Sequence, residues 1–140
     1  MIRQSFHILS VNTQGRGFYE ITHSISEYVR QGNFKCGLVS LLVKHTSASL
    51  VIQENADPGV RRDLEKIFLR IAPDGDPIYE HDYEGVDDMA AHARSALTNV
   101  NLNIPFSNGE LALGTWQGIF LWEHRFQRHC REIAVHILGE

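Results

Sequence analysis

The chain has 140 residues, 43% hydrophobic and 21% charged, and a formal net charge of -4, a balance that suits one globular domain. That charge gives no general attraction to nucleic acid or anionic membrane, no apolar run is long enough to span a bilayer, and the N-terminus has no leader-like stretch, so a cytoplasmic protein is expected. Cys36 and Cys130 are far apart and lack CxxC or CxH spacing, which predicts two free, buried or half-buried thiols.

In chain order, residues Ile2 to Val11 mix polar and apolar positions and read as a partly exposed strand, followed by a turn at "NTQGRG". Tyr19, Ile21, Ile25, Tyr28 and Val29 recur at helical steps and predict a helix from Tyr19 to Gln31, stopped by Gly32. "CGLVSLLVK" (36–44) and "ASLVIQ" (48–53) are too uniformly apolar for half-exposed strands and predict buried ones joined at "HTS". Asp57 and Pro58 then open a helix to Ile71. Its stripe of Val60, Leu64, Ile67, Phe68 and Ile71 is expected to face a core, with Arg61, Arg62, Glu65 and Lys66 in water. A third helix, capped by Asp87 or Asp88, runs to Leu97. "NLNIPF", "GELALG", "GIFLWEHR" and "REIAVHIL" read as four closing strands. In "QGIFLWEHR", Ile119 and Leu121 point opposite to Phe120 and Trp122, so each face of that strand must be covered, by helices on one side and by a second sheet or a partner subunit on the other.

The stretch "HDYEGVDDMAAH" (81–92) concentrates groups that bind metals or move protons. With a helix starting near Asp88, Asp88 and His92 share a face at i, i+4, while His81 and Glu84 sit on the preceding loop beside the permissive Gly85. Imidazoles favour zinc and carboxylates alone favour magnesium, so the mixture predicts a divalent metal without choosing between them. His45, Thr46 and Ser47 supply hydrogen-bond donors suited to phosphate. Glu54 is a candidate base and Asn55 a candidate substrate-orienting group. Trp116, Gln117, Glu123 and Arg125 follow, the last two being either a structural ion pair or a base beside an arginine that grips phosphate.

"HTSASLVIQENADPGVRRDL", "YEHDYEGVDDMAAHARSAL" and "GELALGTWQGIFLWEHR", in that order, resemble the YjbQ-like family, also described as secondary thiamine-phosphate synthases. The resemblance implies an α+β fold with a β-sandwich core of about seven to eight strands and three helices, a single domain, and homotrimeric packing. It also implies one polar cleft lined by all the residues just named. The implied activity joins hydroxymethylpyrimidine diphosphate to thiazole phosphate with release of pyrophosphate. In that chemistry Glu54, Glu123 and Arg125 take catalytic roles, and His45, Thr46, Ser47, Asn55, Trp116 and Gln117 bind the small phosphorylated substrate. His81, Glu84, Asp88 and His92 hold the metal. The competing expectation is a non-catalytic trimeric module that binds a metal or a small phosphorylated ligand.

Overall fold

Alternating apolar residues on the long strands fold this chain into two stacked antiparallel sheets. The computed structural model describes residues 1–140. Its strands are β1 (Arg3–Thr13), β2 (Gly17–Glu20), β3 (Cys36–Val43), β4 (Ala48–Glu54), β5 (Asn101–Ser107), β6 (Glu110–Leu111), β7 (Gln117–Glu123) and β8 (His129–Gly139). Its helices are α1 (Thr22–Gln31), α2 (Pro58–Ile71) and α3 (Asp88–Leu97). Five strands form one sheet in the order β1-β8-β3-β5-β6, and three form the other in the order β2-β7-β4. The result is a single α+β domain with a sandwich core.

Val39, Leu41 and Val43 of β3 and Ile133, Val135 and Ile137 of β8 pack in one buried cluster with Leu50 of β4 and Ile119 and Leu121 of β7. Each such side chain contributes about 1.5–3 kcal/mol by leaving water. Ile25 and Val29 of α1 join the same cluster. The opposite face of β7 is covered by α2. Phe68 meets Trp122 edge-on at 4.8 Å between centroids, and the Arg61 guanidinium lies 5.2 Å from the Phe120 ring centre. Both faces of β7 are therefore covered by its own chain, so this strand needs no partner subunit.

The expected burial of α2 is rotated. Ile67 and Ile71 are 49% and 54% exposed, while Glu65, expected in water, points inward. Its carboxylate accepts from Trp122 Nε1 (2.5 Å) and Arg94 Nη1 (3.3 Å). The physical reason is polar demand, since a buried indole N–H and a fully buried guanidinium each need an acceptor; Glu65 serves the indole and Nη1 of Arg94, whose Nε and Nη2 have no partner.

β3 is also not buried on both sides. Leu38 and Leu42 face outward on the same side as Phe6 and Ile8 of β1 and Leu138 of β8. Register places Leu38 beside Leu138, which pairs with Gln4, and Leu42 beside Ala134, which pairs with Ile8. Apolar side chains thus lie on the outer face of the five-stranded sheet, where Phe6 is 62% and Leu42 47% exposed, with His136 and Ser40 in the row between those of Leu38 and Leu42.

Other differences are local. β2 occupies residues expected in a turn and a helix start, held by pairing Phe18 with Trp122 and Glu20 with Phe120. α1 consequently begins at Thr22. Of "GELALG" only Glu110 and Leu111 pair, against Ser107 and Phe106. Both cysteines are exposed rather than buried, because Cys36 and Cys130 fall on outward positions near strand ends.

Candidate metal centre

The α2–α3 connection, residues 72–87, has no regular structure and is tied in place by polar contacts. Arg16 donates two hydrogen bonds to the Asp74 carboxylate, from Nη1 (2.9 Å) and Nη2 (2.8 Å). Tyr79 Oη donates to the Pro73 carbonyl at 2.9 Å, and Gly75 N to the Val86 carbonyl at 2.8 Å. The loop reaches α3 through Gly85, whose φ of +109° is left-handed backbone that favours glycine. A Cβ there would also sit 3.0 Å from Asp87 Oδ1.

This turn brings His81 over the first turn of α3. His81 Nε2 donates to Asp88 Oδ2 at 2.6 Å, and His92 Nε2 lies 3.5 Å from the same oxygen. The two rings approach edge to face with centroids 5.3 Å apart. Ligand atoms of His81, Asp88 and His92 all lie within 4.8 Å of one another. Zinc bonds of about 2.0–2.1 Å place tetrahedral ligand atoms roughly 3.3 Å apart, so the three groups would hold one cation once His81 Nε2 gives up its proton, the 2.6 Å contact opens and the widest separation, up to 4.8 Å, closes by side-chain rotation. Asp88 is buried and both histidines are half-exposed, leaving the solvent side open.

Arg125 clamps this cluster from behind. Its Nη1 donates to Asp88 Oδ1 (2.7 Å), its Nε to Asp87 Oδ2 (3.0 Å), and its Nη2 to the Glu84 carbonyl (2.8 Å). The clamp occupies one Asp88 oxygen and turns the other toward the histidines. Asp87 stands at the N-cap position of α3 but makes no side-chain cap bond; it accepts instead from Arg125 and from Phe126 N at 2.8 Å. Burial raises the pKa of both carboxyls, yet each ends below the ordinary carboxylate range. For Asp87 the Phe126 amide and Arg125 outweigh burial, and for Asp88 the His81 hydrogen bond and the charges of Arg125 and His92 do so. Glu84 lends its main-chain carbonyl to the clamp, and its exposed side chain lies near enough to Asp88 to help hold that carboxyl's pKa down, but it is not one of the three ligand groups.

Glu123 faces a different partner from the one its spacing implied. Its oxygens accept from Arg131 Nε (2.8 Å) and Nη2 (2.5 Å), from Thr13 Oγ1 (2.6 Å), and from the amides of His124 and Arg125. Burial raises its pKa, but the Arg131 and Thr13 hydrogen bonds and the Arg131 charge hold it below the ordinary value. Glu123 and Arg125 thus belong to two separate ion networks. Ser47 joins the first, accepting from Arg131 Nη2 at 2.9 Å, and Thr46 beside it is exposed. His45 Nε2 accepts from Glu132 N at 2.9 Å. Burial and the Arg131 charge lower the His45 pKa.

Glu54, Asn55, Trp116 and Gln117 gather at the other end of β4, where Glu54 pairs with Gln117 and Asn55 N donates to the Trp116 carbonyl. Ala48 pairs with Glu123 at the near end. Six residue steps along β4 at about 3.3 Å separate the two ends by roughly 20 Å. One chain therefore splits the expected single cleft into two groups. A cavity of about 520 Å³ among Met1, Arg3, Asn33, Lys35 and Glu140 touches neither group.

Sequence reasoning missed Arg131, Arg94 and His124. His124 is fully buried, bonded through Nε2 to Ser49 Oγ at 2.8 Å, and its pKa is pushed down to about 3 by burial and by the charges of Arg94, Arg16 and Arg131. The alternation of "REIAVHIL" could have flagged Arg131 as a charge on the face otherwise made by Ile133, Val135 and Ile137. Nothing local marks His124 or Arg94 as buried.

A sandwich with a histidine–aspartate cluster at one end defines a small α+β protein with a candidate metal centre. The family model described as UPF0047 protein YjbQ-like matches residues 7–140, and the chain belongs to that family. It is 50% identical over 138 residues to UPF0047 protein sll1880 of Synechocystis, covering 99% of this chain and 94% of that protein. It is 44% identical to UPF0047 protein YjbQ of Escherichia coli O157:H7, covering 94% of this chain and 96% of that one. Among solved structures it is similar to a YbjQ-like protein of unknown function from Sulfolobus solfataricus, with a TM-score of 0.90, 26% identity and full coverage of both chains. A conserved hypothetical protein from Thermus thermophilus matches with a TM-score of 0.82 and 37% identity, over 92% of this chain and 97% of that one.

Proposed function

We infer that His81, Asp88 and His92 bind a divalent metal and that this centre serves a weak cytoplasmic transferase of the secondary thiamine-phosphate synthase kind. The observation that carries the reading is the Asp88 carboxylate, held by Arg125 on one oxygen and met by two imidazoles on the other. Two histidines and one carboxylate suit zinc better than magnesium, which prefers an all-oxygen shell. Three protein ligands with one open position is the pattern of a catalytic site, where the metal supplies Lewis-acid charge for a phosphorylated substrate. Asp87, Asp88 and Arg125 together carry one net negative charge and Glu84 beside them adds another, so phosphate attraction at this end requires the metal. Arg125 positions Asp88 in this reading, since each of its three nitrogens already donates to Asp87, Asp88 or Glu84 and the side chain is largely buried behind them.

Metal analysis of protein purified without added ions, followed by an assay of hydroxymethylpyrimidine diphosphate with thiazole phosphate, tests this. Bound zinc near one per chain and metal-dependent pyrophosphate release are expected. Loss of neither metal nor turnover in His92→Ala would overturn it.

The non-catalytic binding module is favoured by one observation: Glu54, the nominated base, and Trp116 lie about 20 Å from Ser47 and Glu123 along β4. A zinc-loaded protein that binds phosphate compounds without turnover selects it. Homotrimeric assembly belongs to both readings and is supported by the outward-facing Phe6, Ile8, Leu38, Leu42 and Leu138, apolar side chains on a sheet face of the kind that subunits cover. Sedimentation is expected to give three times the chain mass, and a stable monomer at micromolar concentration rejects it.

A further inference from the structure

A cavity of about 290 Å³ opens beside the candidate metal centre, with Asp76, Tyr79, His81, Asp82, Val86 and Met89 in its wall. We propose that this cavity receives the cationic organic part of a ligand whose other end is held at the His81–Asp88–His92 centre. The inference names a substrate class for the site proposed above and rests on that reading for the position of the ligand's other end.

His81 is the shared wall, bonded to Asp88 on one side and lining the cavity on the other. The remaining lining contains two carboxylates, a tyrosine ring, a thioether and a valine, and no lysine or arginine. That composition repels a free anion and suits a positively charged group with an apolar surface. Between Asp74 and Asp88 the sequence has no lysine or arginine. The two guanidiniums that reach this segment are engaged elsewhere, Arg16 by Asp74 and Arg125 by Asp87 and Asp88. Arg94, whose charge is felt at Tyr79, is fully buried and paired with Glu65. Asp76 Oδ1 accepts from Ile78 N at 3.0 Å, and the bond from Tyr79 Oη to Pro73 fixes the ring, so the wall is set before a ligand arrives. The volume lies at the small end for ligand sites and matches a single ring or a quaternary ammonium group. The thiazolium of the product in the proposed transfer is a permanent cation of that size.

Choline and its neutral isostere 3,3-dimethylbutan-1-ol are the probes, titrated at low salt into metal-free protein and followed by nuclear magnetic resonance of the Tyr79 ring and Met89 methyl. Choline is expected to bind at least about tenfold more tightly than the isostere. The double variant Asp76→Asn, Asp82→Asn should erase that preference while unfolding at the wild-type temperature, because asparagine keeps the acceptor for Ile78 N. If that variant does not fold, Asp82→Asn alone, at an exposed position, must lower the preference. Equal affinity for the two probes, binding of neither, or an unchanged preference in the folded variant overturns the proposal. Since the titration uses no metal and no turnover, failure to find zinc or transferase activity leaves its result standing, and a negative result leaves the metal reading intact.

Discussion

Arg125→Lys separates positioning from charge at the candidate centre. Lysine keeps the positive charge but gathers its donors on one nitrogen, so it cannot reproduce the fork by which three separate nitrogens of Arg125 reach Asp87 Oδ2, Asp88 Oδ1 and the Glu84 carbonyl, and is expected to lose about two of these bonds. The side chains of Arg125, Asp87 and Asp88 are only 12%, 8% and 2% exposed, so water replaces the lost bonds poorly. Two charge-assisted hydrogen bonds at about 1.5 kcal/mol each set a loss of about 3 kcal/mol, read by urea denaturation at pH 7. Metal affinity should fall about 10- to 100-fold, because Asp88 is no longer oriented toward the histidines while the local charge is unchanged. A variant within about 1 kcal/mol of wild type, with equal zinc affinity by competition against a chelator, would refute the reasoning.

Glu123→Gln should destabilise by about 3–5 kcal/mol by leaving Arg131 buried without its carboxylate. Because the Glu123 pKa is depressed in the fold, the stability it contributes is present above its unfolded pKa and disappears as pH falls through the lower folded value; the variant should show a flatter acid limb in denaturant titrations from pH 6 to 2. His124 acts over another window: with its folded pKa at about 3, below the unfolded value near 6.5, its contribution is complete above pH 6.5 and is lost progressively toward pH 3. His124→Gln should therefore reduce the slope of stability against pH between those limits. Leu42→Lys, on the outer sheet face, should leave the fold intact and turn any trimer into monomer on size exclusion.

The sequence by itself determined the elements whose signals are local. Asp57 and Pro58 marked the start of α2, and Asp57 Oδ1 does accept from Gly59 N at 2.8 Å. The i, i+4 spacing of Asp88 and His92 was enough to put those two groups on one helix face, because helix pitch is a property of neighbouring residues; the return of His81 to them needs Gly85 and also the distant Arg16 and Arg125 that tie its loop down. Only the tertiary structure decided which charges pair. Glu123 lies two residues from Arg125 yet bonds Arg131, since the strand directs its side chain between the sheets while Arg125 lies past the strand end and turns to α3. The same reason explains Glu65 and the split of the expected cleft: hydrogen-bond demand from Trp122 and Arg94, and the length of β4, are set by packing between distant segments, which no spacing along the chain encodes.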